Sequence, residues 1–117
     1  MEHKKDFVKL CPLLYNKIRP NRIFFDSGWD NLVKDVSIKI EKIIEKMPEE
    51  VQSNFYATQI KEKFGSLRFY MSNSTEEIDQ LIKEAERKSV EICECCSRPG
   101  TIKPSPWLKC LCESCRK

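Results

Sequence analysis

The chain has 117 residues, of which 33% are charged and 40% apolar, with a mean hydropathy of −0.53 and a formal net charge of +3. That is enough for one domain with a modest core and too apolar for wholesale disorder. No apolar run approaches the roughly 18 residues of a membrane helix, and the charged opening Met1-Glu2-His3-Lys4-Lys5-Asp6 lacks the apolar stretch of a secretory signal. The expected location is therefore cytoplasmic, where thiols stay reduced.

In chain order, Phe7 to Tyr15 reads as a short helix interrupted at Pro12, and Arg19-Pro20-Asn21-Arg22 as a turn before Ile23-Phe24-Phe25. The strongest helix opens at Asp26-Ser27-Gly28-Trp29-Asp30, with Ser27 as the expected N-cap and Asp30 three positions on. Its apolar residues, Trp29, Leu32, Val33, Val36, Ile40, Ile43, Ile44 and Met47, fall on one face. Pro48 ends it. Such a stripe belongs to a core, so no function is assigned to it.

The pattern then changes period. Phe55 to Ile60 and Leu67 to Met71 are rich in aromatic and β-branched residues, which predicts a β-hairpin turning at Gly65. Leu67, Phe69 and Met71 point to one face; Arg68 and Tyr70 point to the other. A second helix starts near Ser74, with Glu77 completing a capping box, and buries Ile78, Leu81, Ile82, Ala85 and then Val90 or Ile92. The fold class is thus α+β, with amphipathic helices packed on a β-hairpin in residues 1–92. No Gly, Ser or Pro linker precedes Cys93, so residues 93–117 are expected to dock on this body as one compact unit.

Six of the seven cysteines lie at or after Cys93, a clustering that suits metal ligation better than a disulfide scaffold. Cys93-Glu94-Cys95-Cys96 and Cys112-Glu113-Ser114-Cys115 each provide C-x2-C, with fifteen residues between the pairs. Two residues between cysteines let a tight knuckle aim both sulfurs at one ion, and two knuckles complete a tetrahedron. The expected cofactor is one structural Zn2+ on Cys93, Cys96, Cys112 and Cys115, in a zinc-ribbon or treble-clef layout. The turn falls at Pro99-Gly100, with short strands at Thr101-Ile102-Lys103 and Trp107-Leu108-Lys109. Cys95 and Cys110 are taken as non-ligands, and Cys11 as a plain core residue.

The basic excess falls wholly in residues 93–117, and four thiolates on a divalent ion bring the whole protein to about +1. Strong non-specific nucleic-acid binding is therefore not expected. Catalysis is not expected either. The single histidine is His3, the three glycines make no phosphate loop, and four thiolates leave the ion no open position.

Gly28-Trp29, the run Ile60-Lys61-Glu62-Lys63-Phe64-Gly65-Ser66-Leu67-Arg68-Phe69-Tyr70, and the tail from Cys93 through Pro99-Gly100, Trp107 and Cys112 together resemble a family of small phage- and prophage-encoded proteins. The likeness spans roughly residues 24–115, and that family often has a histidine where this chain has Cys115. The resemblance implies a protein partner in a bacterial host, an anti-CRISPR-like inhibitor that occupies the surface of a defence effector such as a type II CRISPR nuclease. The alternative it implies is a nucleic-acid-binding accessory or regulatory protein of a phage. The expected contact residues are Tyr56, Lys61, Lys63, Arg68 and Tyr70 on the polar face and tip of the hairpin, with Trp107 in the tail. Tyrosine among basic residues suits a protein hot spot and also a phosphate groove. The plainer expectation is that Tyr56 and Tyr70 form a cross-strand pair, the lysines keep the hairpin soluble, and Trp107 covers the knuckles.

Overall fold

A computed structural model describes residues 7–104 and 107–116. Its architecture is α+β with a C-terminal four-cysteine cluster. The first helix, α1 (Phe7–Leu10), stops before Pro12. The chain then turns, with the Tyr15 N–H reaching the Cys11 carbonyl at 3.1 Å. Pro12 breaks helical pairing here and leaves two amides to be satisfied elsewhere. Glu41 satisfies them: its two carboxylate oxygens accept from Leu13 N at 3.1 Å and Leu14 N at 2.8 Å.

Helix α2 (Asp30–Glu45) carries the expected stripe, with Val33, Val36, Ile40 and Ile44 buried. It also buries two polar residues, Ser37 and Glu41. Ser37 meets the Tyr15 hydroxyl at 2.5 Å. Ser27 is not its cap. Residues Ser27–Trp29 form a 3-10 turn and the α-helix starts at Asp30 without a side-chain cap. The Gly28 N–H, free at this helix entry, instead donates to the Glu94 carbonyl at 2.9 Å.

After α3 (Glu49–Gln52), β2 (Ala57–Lys63) and β3 (Ser66–Met71) form the hairpin. The first strand begins and ends later than Phe55 to Ile60. Its turn is only Phe64-Gly65, both with positive φ (53° and 87°), the pattern of a two-residue hairpin turn whose twist matches its strands. The Glu62 carboxylate accepts the Gly65 N–H at 2.8 Å and steadies the turn. A third strand, β1 (Ile23–Phe24), lies parallel to β2, with Ile23 opposite Ile60 and Phe24 opposite Lys61. The sheet order is β1-β2-β3.

Helix α4 (Glu76–Ser89) is capped by Thr75, not Ser74: the Thr75 hydroxyl accepts from Ile78 N at 3.2 Å. Ser74 turns instead to Asp79, at 2.6 Å. The sheet turns Ile60, Leu67 and Phe69 inward, where they join Ile78, Ile82 and Ala85 of α4 and the stripe of α2 in one core. At the C-terminal end of α4 the buried position is Ser89, and Ile92 packs partly against the core. Short strands β4 (Thr101–Ile102) and β5 (Cys110–Leu111) pair antiparallel, and α5 (Glu113–Arg116) follows. Trp107 to Lys109 are not a strand. Pairing begins at Cys110, where the backbone is held from both sides by Ile102 and Glu94.

Candidate metal centre and outer sheet face

The first knuckle begins at Cys93, four residues past the end of α4 at Ser89. The Cys93 N–H donates to Arg98 O at 2.7 Å, the Ser97 N–H returns to Cys93 O at 3.0 Å, and Ser97 takes a positive φ of 77° to close the loop. The second knuckle straddles the start of α5, placing Cys112 and Cys115 one turn apart. Knuckle, hairpin and helix thus follow in treble-clef order. The Sγ atoms of Cys93, Cys96, Cys112 and Cys115 all lie within 4.8 Å of one another, and those of Cys96 and Cys112 are 3.5 Å apart. A tetrahedral ion with sulfur bonds of about 2.3 Å holds its sulfurs about 3.8 Å apart, so small side-chain shifts close this group on one ion. The group can hold a metal. Cys95 is exposed and Cys110 is buried in the body's core, and neither belongs to it.

The thiols differ in acidity. Burial opposes ionisation of Cys93, but the N–H groups of Cys112, Cys96 and Cys95 donate to its sulfur and bring the thiol down to about 6. The Cys115 N–H likewise lowers Cys112. Cys115 goes up because Cys112 shares its proton. A cation displaces the thiol protons as it binds, which makes metal uptake pH-dependent.

Glu94, inside the first C-x2-C, has no counterpart in the sequence expectations. It is 1% exposed. Its carboxylate accepts from Cys110 N at 3.0 Å and pairs with Lys109 Nζ at 3.3 Å, while its own N–H reaches Cys110 O at 2.9 Å. One residue thus laces the first knuckle to β5. Burial holds its carboxyl above the usual range.

The knuckle also lies directly on the body. Trp29, fully buried, donates its indole N–H to Ile92 O at 2.9 Å, and Ser97 Oγ donates to Gly28 O at 2.6 Å. A Cβ at Gly28 would sit 2.3 Å from Cys93 O and 2.4 Å from the Glu94 carbonyl carbon, so only glycine admits this approach. At the hairpin tip a Cβ on Gly65 would meet Ile102 Cδ1 at 2.8 Å. The metal module therefore touches both the entry to α2 and the tip of the sheet.

The expected contact residues separate into two groups. Lys61 and Arg68 face each other across β2 and β3, Tyr70 sits opposite Gln59, and Lys63 opposite Ser66. Phe24 extends the Lys61–Arg68 row onto β1. Phe24 is 53% and Tyr70 42% exposed and Lys63 is exposed, while Lys61 and Arg68 between them are half-buried. Tyr56 is elsewhere. It precedes β2, its backbone is bonded to Ser72 in both directions, and Lys17 Nζ lies 4.7 Å from its ring centroid. A Tyr56–Tyr70 cross-strand pair does not form. Trp107 does not cover the knuckles: it is 82% exposed. His3 lies outside the described residues, and among the described residues no helix is long and apolar enough to cross a membrane.

No protein-family model, no curated protein and no solved structure matches the chain.

Proposed function

We propose that this is a small zinc-stabilised binding protein that acts by occupying the surface of a macromolecular partner. The observation that carries the reading is the four-cysteine group with its saturated, all-sulfur donor set. Such a set favours zinc over harder divalent ions and leaves no position for substrate, so the ion serves folding. The working surface on this reading is the outer face of the sheet, where Lys61, Lys63, Arg68 and Tyr70 are displayed together.

The resemblance of the Lys61 to Tyr70 hairpin to phage and prophage proteins supports a partner among host defence effectors, a type II CRISPR nuclease first. Incubating the zinc-loaded protein with that nuclease tests it. Stable capture with loss of cleavage supports inhibition; unaltered cleavage at saturating protein sets it aside. A second reading, a nucleic-acid-binding accessory protein, is favoured by one observation: this face carries cations and aromatic rings. An inhibitor that mimicked nucleic acid would need carboxylates there instead.

A further inference from the structure

The outer face is polarised in charge. Lys61, Lys63 and Arg68 have no carboxylate partner among the described residues, and Arg68 Nε is shielded from water without a hydrogen-bond acceptor. The nearest acid along the hairpin, Glu62, pairs with Leu67 on the inward side and bonds the Gly65 N–H. Two exposed rings flank Lys61 and Arg68, and a third, that of Phe64 at the hairpin tip, has its centroid 5.9 Å from Lys63 Nζ. Phe24 lies on the β1 edge and Tyr70 on β3, two strands across and one side-chain step along. At ordinary strand spacing their Cα atoms are about 12 Å apart, with Lys61 and Arg68 between.

We infer that the outer face of the sheet binds single-stranded nucleic acid, Phe24 and Tyr70 stacking on bases while Lys61, Arg68 and Lys63 meet phosphates. The inference deepens the second reading above, nucleic acid on this face, and rests on the face being the working surface. Base faces are free only in an unpaired strand, and aromatic platforms between cations are what such a strand requires. The span between the rings corresponds to about three nucleotides at stacked spacing. An acidic protein segment would use the cations and leave both rings idle. With only three phosphate-facing cations the electrostatic contribution is small, about two units of log–log salt slope on a single strand. Stacking therefore decides the affinity, which agrees with a nearly neutral protein.

The test is fluorescence anisotropy of labelled oligothymidylate, oligouridylate and a duplex of equal length, with the full zinc-loaded chain at physiological salt. Single strands are expected to bind saturably and the duplex at least about tenfold more weakly. Phe24→Ala and Tyr70→Ala each weaken strand binding about tenfold while the chain stays folded at the assay temperature. Tyr70→Phe, which keeps the ring, restores both binding and melting temperature. Lys61→Gln lowers the salt slope by about 0.7, and Lys42→Gln on α2 changes nothing. Absence of strand binding, equal binding of duplex, or indifference to both ring substitutions overturns the inference. So does competition by polyglutamate as effective as by oligothymidylate. If strand binding is absent yet Phe24→Ala abolishes capture of a protein effector, the face stands as the working surface and only its ligand is reassigned.

Discussion

Ser89 Oγ accepts the Leu67 N–H at 2.9 Å and passes its own proton to the Glu86 carbonyl at 2.6 Å. One helical turn earlier, the Glu86 carboxylate accepts the Phe69 N–H at 3.0 Å. These are the outward amides of an edge strand, so α4 seals β3 with side chains where a fourth strand would have paired. Unsealed edges recruit other chains. Ser89→Ala leaves the buried Leu67 N–H without an acceptor and is expected to cost about 1–3 kcal/mol. Urea denaturation checks this, and light scattering near the midpoint should show earlier self-association than in the parent protein.

The metal centre predicts a pattern across cysteines. One zinc per chain should be found by native mass spectrometry, and a chelator should lower the melting temperature. Cys93→Ser loses the ion or binds it far more weakly. Cys95→Ser, at an exposed position outside the group, keeps both metal and stability. Cys110→Ser keeps the metal but destabilises the chain, because its thiol is buried where a hydroxyl has little company. Zinc lost from Cys95→Ser and retained in Cys93→Ser would reverse the ligand assignment.

Gly28→Ala should behave as a metal-site mutation although residue 28 is far from the thiols in sequence. The added methyl collides with backbone atoms at 2.3 to 2.5 Å, which cannot turn aside as a side chain can. A loss of about 2–3 kcal/mol is expected, together with faster zinc transfer to a colorimetric chelator. Gly65→Ala should be milder at the metal, since the atoms it meets first belong to the flexible Ile102 side chain.

Cys11 predicts an alkaline limit to stability. Burial, reinforced by Glu41 and Glu45, pushes its thiol from 9.0 up to about 12. Above pH 9 the unfolded chain releases this proton while the folded chain keeps it. The contribution is complete below pH 9 and is lost as pH climbs toward 12. At pH 10 the loss reaches about 1.4 kcal/mol. Comparing denaturation midpoints of the parent and Cys11→Ala at pH 8 and 10 isolates it: the variant should change less over that interval.

Local order was largely legible in the residues. The C-x2-C knuckles are short-range geometry, and the stripe of α2 and the alternation of β3 follow directly from their periods. What escaped depends on distant partners. Ile23–Phe24 is a strand only because β2 arrives more than thirty residues later to pair with it. Phe24 is therefore absent from the expected contact residues. Glu41 and Glu94 carry no signal in the sequence, yet each is buried against backbone amides that a proline or a knuckle has left unpaired. The caps went to Thr75 and to a tertiary contact because the sequence offers several adjacent hydroxyls and does not rank them.

The fit of Gly28 and Trp29 against the knuckle also says how this protein can be cut. Division after Ile92, where composition changes most sharply, would strip the Gly28 amide of its acceptor and remove Cys110 from the core of the other half. The detached tail would in turn expose the backbone that Gly28 covers. Neither fragment is a transplantable part. The cysteine-rich segment is better regarded as the last piece of the body's interior, and swapping in a metal module from another protein should fail unless the glycine-tryptophan seat travels with it.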